Sequence, residues 1–253
     1  LYQVRPTAHI LDVAILCGDH LLAQAQTMET GIAWETLKSA KQPLTGFSHG
    51  AAGIAFSLLT LSALTGEARF RQAAQSAMHY ERNTFDPEQQ NWPDFRDPGP
   101  TEAASEKAEK QPFFMTAWCH GASGIGLARL ASLQYLDKPE IHAEIQMALT
   151  TTLKRGFGFN HSLCHGDLGN LETMLLATQV LRDTRYNEQL THLTAMLLGS
   201  ISRQGWLTGI PLGVETPGLM TGLAGIGYQL LRLAEPAKIP TVLLLAPPVI
   251  EKA

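Results

Sequence analysis

The stretch Ser162-Leu163-Cys164-His165-Gly166-Asp167-Leu168-Gly169-Asn170 contains a Gly-x-x-Gly motif that occurs four times along the chain. With the two residues that precede each motif, the copies are Ser48-His49-Gly50-Ala51-Ala52-Gly53, Cys119-His120-Gly121-Ala122-Ser123-Gly124, Cys164-His165-Gly166-Asp167-Leu168-Gly169 and Met220-Thr221-Gly222-Leu223-Ala224-Gly225. An apolar run follows every copy, which is typical of a tight glycine turn that leads into a helix. The two residues before the first glycine change from copy to copy, so they are the candidates for chemistry.

The segments that follow the first three copies are almost free of charge. Ile54 to Leu64 contains no Asp, Glu, Lys or Arg, and 125–136 and 171–181 contain one charged residue each. A helix that is apolar all round is surrounded by protein. Amphipathic helices are predicted between them, over 67–81, 139–155 and 184–202. Helical hairpins that repeat at roughly 50 residues form either an open solenoid or a closed ring whose inner wall is made of the buried helices.

Further helices are predicted at both ends of this repeat. The segment 6–28 has apolar residues, including Ile10 and Cys17, at helical spacing and is expected to cover an outer face. A second helix is predicted before Gly46, and a last buried helix over 226–233.

Two proline-rich segments interrupt the helical pattern. The segment 86–112 contains five prolines among many charges, and it is predicted to be a surface insertion that either contacts substrate or is merely tolerated. The segment 235–253 is predicted to be a C-terminal tail whose apolar part, 241–245, is extended and packs on the outside.

Composition excludes several classes of function. The formal charge is -4 and no block of Lys or Arg occurs, which argues against nucleic acid and anionic membranes as partners. No apolar run approaches the roughly 20 residues that a membrane-spanning helix needs. Three cysteines, two of them beside histidines, favour metal or thiol chemistry in a reducing compartment, with the cytoplasm as the expected location. The first residue is not Met, so we expect the chain to be part of a longer protein.

The second and third copies carry the candidate metal ligands. If the repeats are structurally equivalent, Cys119, Cys164 and His165 converge at one rim of the inner wall, and two thiolates with one imidazole select zinc. Three protein ligands leave the fourth tetrahedral position for water or substrate. Because two thiolates already balance the charge of Zn²⁺, such a site suits the activation of an incoming thiol.

The remaining Cys and His residues are predicted to have ordinary roles. Cys17 has no histidine nearby and is expected to pack in the core, the alternative being a fourth zinc ligand. His161 and the other histidines outside the motifs are expected to be exposed or half-buried.

Three of these motifs resemble the signature of the lanthionine synthetase C family, the LanC-like cyclases. They are Gly46-Phe47-Ser48-His49-Gly50, Trp118-Cys119-His120-Gly121 and Cys164-His165-Gly166. The Trp-Cys-His-Gly form and the apolar segment 242–248 resemble the cyclase region of bifunctional class II lanthipeptide synthetases (LanM type), in which a dehydratase precedes the cyclase. The resemblance covers essentially the whole chain, so 1–253 is expected to be a fragment of one cyclase domain.

The resemblance implies an all-α fold, the α/α toroid of inner and outer helices, incomplete here because N-terminal hairpins are missing. It implies zinc as cofactor, with Cys119, Cys164 and His165 as its ligands and His49 as the acid/base histidine. The implied reaction is Michael-type addition of a peptide cysteine thiol to dehydroalanine or dehydrobutyrine. The implied partners are a dehydrated lanthipeptide precursor and an N-terminal dehydratase domain in the same parent chain.

The chain departs from the family pattern at three places. His120 stands where many stand-alone cyclases have Tyr, and it is expected to support the ligands, to donate a proton or to be a fourth ligand. Met115 stands where stand-alone members carry a basic residue, and the catalytic Asp of the family belongs to a repeat that should precede Leu1. Two other functions remain open: a relative that adds glutathione, and a non-catalytic peptide-binding scaffold with structural zinc.

Overall fold

The computed structural model describes residues 1–96 and 113–248. Nearly all regular structure in these ranges is helical, and the helices are α1 Ala8–Gln24, α2 Ala51–Thr65, α3 Ala68–Asn83, α4 Ala122–Ser132, α5 Pro139–Arg155, α6 Asp167–Leu181, α7 Thr184–Gln204 and α8 Leu223–Ala234. A short antiparallel hairpin of β1 Gln26–Thr27 and β2 Ile32–Ala33 pairs Gln26 with Ala33. None of the described helices combines the length and the apolar character that crossing a bilayer requires.

The chain divides into two compact units, one formed by Gly18–Thr151 and the other by Leu1–Cys17 together with Thr152–Ala253. In the first unit, α2 packs against α3 and α4. Its core includes Trp92, Ile125 and Ala128, all of which are fully buried. These side chains come from α4 and from the segment that follows α3, so α4 is enclosed by its own unit.

A network of buried charges joins three helices of the first unit. Arg129 of α4 lies 2.8 Å from a carboxylate oxygen of Glu81 on α3 and also pairs with Glu144 of α5, which in turn pairs with Arg82. Burial alone would lower the pKa of Arg129, but Glu144 and Glu81 raise it above its usual value. The other oxygen of Glu81 accepts a hydrogen bond from the Gly46 N–H at 2.8 Å, which links the network to the first glycine turn.

The second unit contains a similar connection between its helices. There α6 packs against α7 and α8, and Glu172 of α6 accepts hydrogen bonds from Arg232 at 2.7 Å and from Gln229 at 2.6 Å. Arg232 also donates to the carbonyl of Ile239 at 2.6 Å, which fixes the segment after α8. Both units thus hold their apolar helices together through buried carboxylates that are paired with arginine.

The predicted alternation of buried and amphipathic helices is confirmed for α2 to α7, with bounds that differ by a few residues. The last helix, α8, was predicted to be buried, but it leaves Leu231 61% exposed. The helices after the glycine turns begin immediately after the first glycine, earlier than the apolar run alone indicated. The helix predicted before Gly46 is wrong, since that part of the chain forms the β1–β2 hairpin and irregular structure with Gly31 and Gly46 at positive φ.

Two other predictions are corrected by burial. The surface insertion is wrong for 91–95, since Asn91, Trp92 and Asp94 are buried, whereas its first part, 87–90, is exposed as predicted; 97–112 lies outside the described residues. Cys17 is exposed rather than in the core, because the neighbouring Gly18 is the residue of α1 that turns inward.

The C-terminal segment is also different from the prediction. Residues Val242–Leu244 form a 3₁₀ turn instead of an extended piece, with Leu243 buried and Leu245 86% exposed. The last part of the predicted tail, 249–253, lies outside the described residues.

Candidate metal centre

The first glycine turn presents His49 at the surface immediately before α2. The Ala51 N–H donates to the Leu44 carbonyl at 3.0 Å, and the Thr36 hydroxyl donates to the His49 carbonyl at 2.6 Å. The His49 side chain is exposed and stacks on the ring of His120, with ring centroids 5.9 Å apart. The backbone of this exposed imidazole is therefore fixed while its ring remains accessible.

The second glycine turn places Cys119 and His120 in a tight, buried loop. The Ala117 N–H donates to the His120 carbonyl at 3.1 Å, and the Ser48 N–H donates to the Cys119 carbonyl at 3.2 Å. Cys119 is 5% exposed, and its Sγ lies 3.9 Å from the Sδ of Met115. The second bond ties the first glycine turn directly to the second.

His120 is completely buried beside a carboxylate. Its Nδ1 lies 3.8 Å from Oδ1 of Asp94, and within the described ranges, 1–96 and 113–248, neither ring nitrogen makes a hydrogen bond of normal geometry. Burial lowers the pKa of His120 to about 4; Asp94 opposes this, whereas Arg96 and His49 add to it. Arg96 pairs with Asp94 at 2.6 Å, so the negative charge next to the ring is largely compensated. His120 is therefore a neutral imidazole at neutral pH.

The third glycine turn positions Cys164 and His165 through contacts with the fourth. The Cys164 N–H donates to the Met220 carbonyl at 2.8 Å, and the Nε2 of His165 lies 3.0 Å from the Gly209 carbonyl oxygen. The Gly209 N–H in turn donates to the Thr221 carbonyl at 2.8 Å. An imidazole that donates through Nε2 presents Nδ1 as its ligand atom.

Cys119, Cys164 and His165 form a group that could hold a metal ion. Each offers one ligand atom, and these atoms all lie within 4.8 Å of one another. Two sulfurs and one imidazole nitrogen are the donor set of zinc sites, so the residues fit the ion that the sequence predicted. In the part of the chain that the structure describes, Cys17 and His120 do not belong to this group, which gives no support to either as a fourth ligand.

Several residues around the glycine turns were missed by the reasoning from sequence. Asn91 and Asp94 fell in the predicted surface insertion, and Glu81 was taken as part of an ordinary amphipathic helix. His161 was expected to be exposed or half-buried, and this is wrong: it is fully buried, its Nε2 lies 3.0 Å from the Ser200 hydroxyl, and its Nδ1 accepts from the Leu207 N–H. For Asn91 and Asp94, the sequence Asn-Trp-Pro within the charged segment was the available signal, because a tryptophan side chain usually packs against other apolar groups.

Comparison with models of known protein families gives a match over most of the chain. The pattern of the family described as lanthionine synthetase C-like protein matches residues 2–244. The chain belongs to the lanthionine synthetase C-like family. This confirms the resemblance that the three motifs carried.

Two relatives are longer than the part that this chain matches. The Lacticin 481/lactococcin biosynthesis protein LcnDR2 of Lactococcus lactis subsp. lactis is 26% identical over 206 residues, which cover 76% of this chain and 21% of that protein. The solved structure of nisin cyclase matches with a TM-score of 0.58 at 20% identity, over 76% of this chain and 46% of that chain. The chain thus spans about a fifth of the curated relative and under half of the solved one. The predicted fold class, the all-α toroid, is confirmed by this similarity.

Proposed function

We propose that this chain is part of a zinc-dependent lanthionine cyclase, which adds cysteine thiols of a lanthipeptide precursor to dehydroalanine or dehydrobutyrine. The observation that carries the proposal is the group of two thiols and one imidazole, contributed by the second and third glycine turns of a lanthionine synthetase C-like chain.

Cys119, Cys164 and His165 would hold the zinc ion. When bound, zinc supplies a Lewis acid that lowers the pKa of a substrate thiol, and two protein thiolates keep the activated sulfur nucleophilic. The protein prepares this set by backbone contacts: the Cys164 N–H is bonded to Met220, and the Nε2 of His165 to Gly209. These contacts reduce the reorganisation that ligand binding requires.

His49 is proposed to handle the proton of the addition. As the new C–S bond forms at the β-carbon, the electron pair of the C=C bond moves to the α-carbon and its carbonyl, and that position must then gain a proton. His49 is exposed and next to the second glycine turn, and imidazole exchanges protons near neutral pH. His120 is neutral and buried behind it, so we assign it the role of holding the His49 ring by stacking.

The substrate is proposed to be a dehydrated precursor peptide made by a dehydratase domain of the same parent chain. The curated relative is about five times longer than the matched part, which leaves room for such a domain in a protein of that kind. Cysteine ligands must stay reduced to bind zinc, so we place the protein in a reducing compartment such as the cytoplasm.

The metal assignment is tested by the zinc content of the parent protein and two matched variants. We expect one zinc ion in the unsubstituted protein, its loss in Cys164→Ala, and its retention in Cys17→Ala, which removes an exposed thiol outside the group. Retention of zinc in Cys164→Ala would contradict the ligand assignment.

The reaction is tested by incubating the parent protein with a dehydrated precursor and alkylating the residual thiols before mass spectrometry. Loss of alkylatable thiols without a change in mass indicates ring formation. With glutathione also present, an adduct on the peptide would instead support the glutathione-adding function. An unchanged peptide, with zinc present, would support a non-catalytic scaffold. We expect His49→Asn to keep zinc and to slow ring formation by about 100-fold or more, the usual contribution of general acid–base catalysis.

A further inference from the structure

The first helical N–H group is satisfied in the same way after three of the four glycine turns. In each case it donates to the backbone carbonyl of the residue seven positions earlier. The bonds are Ala51 to Leu44 at 3.0 Å, Asp167 to Asn160 at 2.8 Å and Leu223 to Thr216 at 2.8 Å. The glycine that precedes the helix has a negative φ in all three, -116° at Gly50, -123° at Gly166 and -121° at Gly222.

The second turn, which carries Cys119, is built differently. There the Ala122 N–H donates at 2.8 Å to Oδ1 of Asn91, a residue far away in sequence. The carbonyl seven positions earlier, that of Met115, accepts from Nδ2 of Asn91 at 3.0 Å instead. The Asn91 amide therefore bridges the two backbone groups that bond directly in the other copies.

The bridged turn also has a different backbone conformation. Gly121 has φ 80° and ψ -157°, which is outside the range of the other three glycines and is open mainly to glycine. A Cβ atom there would lie 1.8 Å from the Met115 carbonyl oxygen and 3.2 Å from Oδ1 of Asn91. Asn91 and Gly121 thus act together to set the path of the chain through Cys119 and His120.

The Asn91 side chain uses its full hydrogen-bonding capacity. Besides Met115 and Ala122, its Nδ2 donates to the Thr116 hydroxyl at 3.2 Å and its Oδ1 accepts from the Trp92 N–H at 2.8 Å. Asn91 is 1% exposed, and the chain on either side is fixed by a backbone bridge to Asp86 and by fully buried Trp92. An aspartate of the same shape would lose both donors and bury a charge, because a carboxylate only accepts.

We propose that Asn91 is a positioning residue for the metal centre: its amide fixes the turn that presents Cys119 as a ligand. This inference rests on the proposed zinc function. The other three glycine turns close by a direct backbone bond, and the turn that is bridged by Asn91 is one of the two that carry a cysteine beside a histidine.

The test uses cobalt(II) in place of zinc, because thiolate-bound cobalt has visible and near-ultraviolet absorption bands that report the sulfur ligands. The parent protein, Asn91→Asp and the control Asn83→Asp are titrated with cobalt alone. Asn83 is an exposed residue at the end of α3, and the control introduces the same chemical change there. We expect Asn91→Asp to weaken cobalt binding about 10–100-fold and to shift the absorption bands, as substitutions of residues that hold metal ligands in place typically do. We expect Asn83→Asp to leave the affinity and the bands unchanged.

A milder variant covers the case in which Asn91→Asp does not fold. Thr116→Val removes one of the four hydrogen bonds of the Asn91 amide and is expected to weaken cobalt binding in the same direction by a smaller factor. If the unsubstituted protein shows no thiolate–cobalt bands, the proposed metal function itself is wrong. If the unsubstituted protein shows the thiolate–cobalt bands, but the bands and the affinity are unchanged in folded Asn91→Asp or in Thr116→Val, the metal site is supported and the role of Asn91 is refuted.

Discussion

The Nε2 atom of His165 lies 3.0 Å from the carbonyl oxygen of Gly209, a residue 44 positions later in the chain. Because the ring donates through Nε2, the orientation of a proposed metal ligand depends on a loop that carries no metal-binding side chain. Backbone partners of this kind fix the tautomer of a ligand histidine and its direction.

The Gly209→Ala substitution is expected to weaken zinc binding. A Cβ at this position would lie 2.8 Å from Nε2 of His165 and 2.7 Å from the Ser162 hydroxyl, so the ring must move. Disturbing such a partner typically costs about 10–100-fold in metal affinity. Competition with a chromophoric chelator measures the change. Gly227→Ala is the control, since a Cβ there meets no atom within 4 Å, and equal affinities for the two variants would contradict the prediction.

Gly121→Ala is expected to destabilise the protein more than Gly66→Ala. Both glycines have positive φ, 80° and 76°, and alanine is strained by about 1 kcal/mol or more at either. Only at Gly121 does the added Cβ also collide with backbone, 1.8 Å from the Met115 carbonyl, whereas nothing lies within 4 Å at Gly66. Denaturant unfolding of the two variants measures the difference, which we expect to exceed about 1 kcal/mol. A larger loss for Gly66→Ala would show that the turn at Gly121 yields easily.

Arg129→Met is expected to reduce the free energy of unfolding by about 3–5 kcal/mol, because it leaves two buried carboxylates, those of Glu81 and Glu144, without their shared cation. Arg69→Met provides the matched change on the surface. Arg69 pairs with Asp19 and Glu67 while about half exposed, and such pairs contribute about 0–1 kcal/mol. Urea unfolding compares the two; a loss for Arg129→Met as small as that for Arg69→Met would contradict the role assigned to the network.

His161 is expected to make the protein less stable in acid. Burial lowers the pKa of His161 below its usual value, although Asp167 opposes the shift, so the folded state favours the neutral ring. The contribution of neutral His161 to the free energy of unfolding is fully present above the pKa of the unfolded state, about 6.5. It is lost as the pH falls through the lower pKa of the folded state. The free energy of unfolding should therefore fall between pH 7 and pH 5 by more in the unsubstituted protein than in His161→Asn. His20→Asn removes an exposed histidine as a control; an identical pH dependence of all three proteins would refute the prediction.

The helices and the candidate metal ligands could be predicted because the sequence patterns that indicate them are local. An almost uncharged apolar run after Gly-x-x-Gly predicts a buried helix, and α4 and α6 follow that rule most fully, whereas α8 leaves Leu231 61% exposed. The repeated motif also aligned Cys119 with Cys164, so the donor set was evident without knowledge of the fold.

The contacts that support the site could not be predicted in the same way. The segment around Asn91 is rich in proline and charge, and composition alone assigned it to the surface, although Trp92 packs against α4. Cys17 and Gly18 are adjacent on one helix, and only the neighbouring Leu61 and Phe70 decide that the glycine is the one that faces inward.

The sequence by itself determined the all-α fold, the family and the three residues proposed to bind zinc, because periodicity and repeated motifs act over a few neighbouring residues. Only the tertiary structure decided that Asn91 bridges the turn of Cys119, that Gly209 directs His165 and that Asp94 lies beside His120. Each of these contacts joins two segments that are distant in sequence. Whether such a contact forms depends on the packing of the surrounding residues and not on either segment alone.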